Sequence, residues 1–196
     1  MKKLLSLILC GAMLLTLTAC DSKGNSSDNS IVQNFDPVPV PEGGWTLEEL
    51  VKTICIDGKP IPDPFKVDAL GKKYSLGKDG ETNSGAFLKR NNMEIAVILF
   101  TDSSNSDGRK KEIKNLLTLE KYNEEKFTNA ITINGVGLGS SSADFRTNLG
   151  EFVIIDQSIY DSGYTAEYYE DGRDMPILHV SFDDYDRAHL LSFYFK

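Results

Sequence analysis

The sequence predicts an α+β fold of two related units, each with short helices packed on an antiparallel sheet of about three strands. Three observations point there. The motif Ile-x-Ile-(Asp/Asn)-Gly-x-x-(Ile/Leu) occurs at Ile54-Cys55-Ile56-Asp57-Gly58-Lys59-Pro60-Ile61 and again at Ile131-Thr132-Ile133-Asn134-Gly135-Val136-Gly137-Leu138. Each copy then runs through a phenylalanine to Leu-Gly, from Phe65 to Leu70-Gly71 in the first and from Phe145 to Leu149-Gly150 in the second. Short capped helical stretches give way to β-branched and aromatic runs, the ordering expected of helices on one face of a sheet.

Before the first unit, Lys2-Lys3 and an apolar run from Leu4 to Leu17, broken only by small or hydroxyl residues, have the layout of a bacterial secretory signal over residues 1–19. The apolar core is too short to span a bilayer comfortably. Leu17-Thr18-Ala19-Cys20 resembles a lipobox. That resemblance implies cleavage between Ala19 and Cys20, a diacylglycerol on the Cys20 thiol, and a mature chain anchored by lipid on the extracytoplasmic face of the cell membrane.

Loss of Lys2 and Lys3 takes the formal charge from −8 to −10. An acidic chain without a Lys/Arg stripe is a poor partner for nucleic acid or anionic headgroups, so membrane attachment is expected from the lipid alone. With Cys10 in the signal and Cys20 carrying lipid, Cys55 has no intrachain partner and reads as a small buried apolar residue. The remaining chain of about 150 residues is long enough to bury roughly two thirds of its unfolded surface without disulfides.

Residues 20–44 pass from Ser, Asn, Asp and Gly to Pro-Val-Pro-Val-Pro, the composition of a tether. Such a spacer holds the folded part on the order of 30 Å from the membrane, or about 80 Å if fully extended. The first unit is placed at 45–127 and the second at 128–196. Whether they share a sheet, and so make one compact domain of 45–196, is left open by the sequence.

In the first unit Thr46 and Glu49 form a capping box, and Leu47, Leu50, Val51 and Ile54 share one helical face. Ile54 to Ile61 is a hairpin around Asp57-Gly58. A second helix is expected over residues 64–70, entered by Pro64 and stopped by Gly71. Strands follow at 86–88 and 94–100. Residues 113–119 suit a helix or a strand by spacing, and are expected to be a strand by analogy with the last run of the second unit. There, Ser141 or Ser142 caps a helix over 143–149, and strands follow at 164–169, 177–182 and 189–195.

Gly58-Lys59-Pro60-Ile61-Pro62-Asp63-Pro64 and Gly137-Leu138-Gly139-Ser140 through Phe145 resemble signatures of a large, mostly uncharacterised group of lipoproteins and cell-envelope proteins of gut Firmicutes. More distantly, the Gly-Leu-Gly-Ser, helix, Leu-Gly and strand pattern is similar to the tandem modules of β-lactamase-inhibitor-like proteins and of small lipoproteins of outer-membrane assembly. The resemblance covers most of residues 46–196. It implies a binding or scaffolding module with no catalytic residues to carry over.

The candidate chemical sites reduce to local structure. Gly135-Val136-Gly137-Leu138-Gly139-Ser140 lacks the glycine of a dinucleotide fingerprint at Ser140 and the Lys-Ser/Thr pair of a phosphate loop. The stretch 103–108 echoes a calcium loop but puts Ser103 at position one and Lys114 at position twelve, where a carboxylate belongs. Asp183, Asp184 and Asp186 crowd a predicted turn. His179 and His189 have no helical metal-pair spacing, and no nucleophile elbow accompanies Cys55. No metal, cofactor or catalytic residue is expected, with a hydrolase using Cys55 or His179 the weaker alternative.

Tyr160, Tyr164, Tyr168, Tyr169 and Tyr185 cluster in the second unit. Tyr164 and Tyr168 have the alternation of core residues, leaving Tyr160, Tyr169 and Tyr185 as a partner surface. The expected function is a non-enzymatic, lipid-anchored binding or scaffolding module for a protein or glycan; the alternative is an envelope-assembly or inhibitor-type protein.

Overall fold

Two Asx-Gly turns organise the molecule. In the computed structural model, which describes residues 36–77, 84–104, 106–119, 130–157 and 163–195, Asp57 and Gly58 have φ of 53° and 71°, and Asn134 and Gly135 have 42° and 85°. These are the left-handed pairs that a two-residue hairpin loop requires. They join β1 (Ile54–Ile56) to β2 (Lys59–Pro60) and β7 (Ile131–Ile133) to β8 (Val136–Gly137). Because β1 also pairs antiparallel with β7, the two hairpins form one four-stranded sheet in the order β2-β1-β7-β8.

After its hairpin the first unit supplies β3 (Tyr74–Leu76), β4 (Gly85–Arg90), β5 (Met93–Phe100) and β6 (Ile113–Leu119). The second supplies β9 (Val153–Gln157), β10 (Tyr164–Tyr168), β11 (Leu178–Phe182) and β12 (Ala188–Tyr194). All eight join one antiparallel sheet, ordered β3-β4-β5-β6-β12-β11-β10-β9. Equivalent strands thus meet at both junctions, β1 with β7 and β6 with β12, which relates the units by a local two-fold.

One face of the large sheet is the core. Ala86, Ile98, Leu116, Phe193, Leu178 and Tyr168 are successive cross-strand neighbours in a single buried row. Against this face pack α1 (Leu47–Lys52) and α2 (Ser142–Leu149), which follows the second hairpin. Phe145 meets Phe182 edge-on at 5.4 Å between ring centres. The capping boxes are present at both helices, Thr46 with Glu49 and Ser141 with Asp144.

The expected α+β arrangement is corrected: among the described residues the fold is mostly β, about 41% strand against 15% helix, with two short α-helices on two sheets. Each unit contributes four strands to the large sheet, where about three were expected. β3 is too short to show a period, and the Phe152 to Ile155 run preceding and entering β9 is continuously apolar and shows no alternation. Ile54, the last residue on the expected first helical face, begins β1. The helix expected over 64–70 is reduced to a 3-10 turn at Asp68–Leu70. There Phe65 and Val67 are buried alternately, and the Phe65 carbonyl accepts from Ile113 N at 2.9 Å, outside any helix. A seven-residue helix has little stability of its own, so packing as an extended arm prevails.

Residues 36–44, the proline end of the expected spacer, contact the second unit. Val38 N donates to Asn134 Oδ1 at 2.8 Å and its carbonyl accepts from Asn134 Nδ2 at 2.9 Å. A Cβ on Gly135 would come within 2.7 Å of Pro37. Trp45 Nε1 then donates to the Leu149 carbonyl at 3.0 Å, fastening the segment to the end of α2.

Candidate functional site

The opposite face of the large sheet carries the candidate site. Pleating turns alternate residues away from the core, and the registers place Phe87, Val97, Leu117, Ser192, His179, Glu167 and Val153 in one row from β4 to β9. The first-unit half of this row is apolar. The second-unit half is polar from Ser192 to Glu167 and ends on the apolar Val153, and the row beside it adds Ser181 and Thr165, whose hydroxyls lie 3.2 Å apart. Among the described residues both helices and the four-stranded sheet belong to the core side.

At the centre of the polar half, Glu167 is nearly buried between its neighbours. One carboxylate oxygen lies 3.1 Å from His179 Nδ1, and the other accepts the Tyr169 hydroxyl. That hydrogen bond holds the Tyr169 phenol above its usual pKa, with burial adding to the effect. On the next strand Asn115 Nδ2 donates to Ser192 Oγ at 3.4 Å. Ser192 is therefore bonded to Asn115 rather than to His179. Ser192, Ser181 and Asn115 are buried along with Glu167, so the groups the arrangement presents for hydrogen bonding and ring stacking are the His179 imidazole and the Tyr169 phenol, both held by Glu167.

The tyrosines expected as one surface are divided. Tyr169 is 41% exposed at the end of β10 beside this cluster. Tyr185 is 79% exposed on the β11–β12 turn, at the other end of the strands, about 17 Å away for a five-residue strand. Its ring faces the Arg187 guanidinium at 5.6 Å. Tyr160 lies outside the described residues, as do Ala19 and Cys20. Tyr168 is buried in the core row, and Tyr164 stacks on Phe182 at 5.0 Å.

Other candidates are occupied by structure. The Tyr164 hydroxyl donates to Asp186 Oδ1 at 2.6 Å and Ser142 donates to Asp186 Oδ2 at 2.8 Å, while Asp183 accepts from the Tyr185 and Arg187 amides. These carboxylates close a turn. Among the described residues no three His, Cys, Asp or Glu side chains group as metal ligands. Cys55 is wholly buried, and burial raises its thiol pKa, so the nucleophilic thiolate is disfavoured. Ser141 caps α2, as one of the two expected serines.

No protein-family model, no curated protein and no solved structure matches this chain.

The sequence pointed at Tyr169 and His179 separately, but not at Glu167, Ser192, Asn115 or Ser181. A period-two reading of 164–169 and 177–182 puts Glu167 and His179 on the faces opposite Ala166 and Val180, the one signal available. Their adjacency depends on register, which the turn-rich connections do not specify.

Proposed function

We propose that the protein is a lipid-anchored, extracytoplasmic binding module that takes a protein or glycan partner on the open face of its eight-stranded sheet, without chemical turnover. The observation that carries this reading is the Ser192–His179–Glu167 row with Tyr169 beside it, polar groups held on adjacent strands and turned away from the core. The lipobox-like Leu17-Thr18-Ala19-Cys20 supports the anchor and the acidic charge supports attachment by lipid alone. The resemblance to envelope lipoproteins is consistent with such a role.

The test compares the full chain with Tyr169→Ala and Glu167→Ala on a glycan array and against purified envelope proteins. A specific signal weakened about tenfold or more by either substitution is expected, the scale of losing a contact of 1.4 kcal/mol. Hydrolysis of an ester, peptide or glycoside panel that disappears with His179→Ala would overturn the reading. For the anchor, Cys20→Ser is expected to move the chain from the membrane fraction to the aqueous fraction and to remove fatty-acid labelling.

A further inference from the structure

We infer that β9 is a docking edge for an extended, basic polypeptide segment, which would add as a ninth strand beside Val153–Gln157. This extends the binding reading to a second feature, the sheet edge rather than its open face. Among the described residues β9 pairs only with β10. Its first three side chains, Val153, Ile154 and Ile155, are aliphatic and 57%, 57% and 47% exposed. Sheets ordinarily protect their edges because unpaired backbone groups recruit other strands. The opposite edge follows that rule: β3 has three residues, and Arg109 Nη1 donates to the Tyr74 carbonyl at 3.0 Å. At β9 no side chain caps a backbone group in this way among the described residues, and Val153, Ile154 and Ile155 are apolar.

Charge selects the occupant. Glu151 precedes Val153, and because Glu167 of β10 pairs with Val153, the connection that leaves β10 with Glu170, Asp171 and Asp174 starts from the same end of the strands. Facing them are Arg146, 3.6 Å from Glu151, and Arg173, 3.4 Å from Glu170. Carboxylates outnumber arginines, so an incoming strand gains from lysine or arginine alternating with apolar residues that cover Ile154, since Val153 points to the other face of the sheet. A second copy of the chain would offer β9 itself, Val-Ile-Ile-Asp-Gln, which carries no lysine or arginine. It would also meet a bulge, since Thr165 faces Asp156 while Ala166 faces Ile154, leaving Ile155 as the extra residue. A bulge bends two large sheets out of line but lets a single short strand follow it.

The experiment uses the full chain in detergent micelles and fluorescent heptapeptides: one alternating valine and lysine, one alternating valine and glutamate, and the valine–lysine peptide N-methylated at alternate amides. The valine–lysine peptide is expected to bind, with the other two weaker by at least about tenfold. Ile154→Lys and, as a milder change at the same exposed site, Ile154→Thr should both reduce that binding. Equal binding of the glutamate or N-methylated peptide, or no binding of any, overturns the inference and leaves the open-face reading standing. Light scattering that shows a dimer dissolved by Ile154→Lys overturns it in favour of a second copy.

Discussion

Asn134 and Asp57 are the same turn residue in the two units, put to different uses. Asn134 is buried, and its side chain bonds Val38 twice and donates to the Asn148 carbonyl at 2.6 Å. Asp57 lies 2.8 Å from Lys73 Nζ and 2.7 Å from Arg90 Nε, and it accepts the Tyr74 hydroxyl. One side chain ties in the proline segment, the other ties the first hairpin to β3 and β4. Asn134→Ala removes three bonds, strands buried backbone groups and leaves alanine at positive φ, so a loss of about 2–4 kcal/mol is expected in urea denaturation. Burial, with the Asp57 bond adding, raises the Tyr74 phenol pKa; burial also raises that of Tyr168. Both contribute stability fully present below the ordinary tyrosine pKa of about 10 and lost as pH rises toward the folded-state values. An ultraviolet titration should therefore find tyrosinate formation incomplete in the folded protein at about pH 11 and completed by urea. Cys55 in a Cys10→Ser, Cys20→Ser chain should resist a thiol reagent until the protein unfolds.

At the scale of elements, short-range chemistry was legible and longer pairing was not. Asx-Gly turns, Thr46/Glu49 and Ser141 act through neighbours a few residues away, so both hairpins and both caps can be read from the chain. Ser141→Ala should cost about 1 kcal/mol at neutral pH. The Asp144 carboxyl is held below its usual pKa by the Ser141 hydroxyl and then the Ser141 amide. That contribution is complete above the ordinary carboxyl pKa and is lost as pH falls through the depressed folded value. The stability difference between the wild type and Ser141→Ala should therefore shrink on acidification below about pH 4. The 64–70 segment misleads because Pro64 and Gly71 have helix-boundary chemistry while its carbonyl partner is Ile113, far along the chain. The candidate site was opaque for a similar reason: Glu167 and His179 become neighbours only when β10 and β11 pair in the register that sets them directly opposite each other.

For the whole molecule, the units share both sheets. β1·β7 and β6·β12 are interior pairs, so separation at residues 127–128 would expose four long-range edges and divide one hydrophobic cluster. Residues 128–196 expressed alone are expected to lack a cooperative urea transition, whereas the full chain unfolds in one. If the isolated unit unfolds cooperatively with comparable stability, the shared sheets are not what holds it. The repeat, the turns, the caps and the burial of Cys55 are legible without the fold, because each follows from residues close in the chain or from composition. The merging of the repeats into four- and eight-stranded sheets, the seat of the proline segment against Asn134, and the place of β9 as an edge among the described residues emerge from long-range packing alone. Those outcomes depend on which strands pair across long separations, and backbone hydrogen bonds carry almost no side-chain signature of their partners.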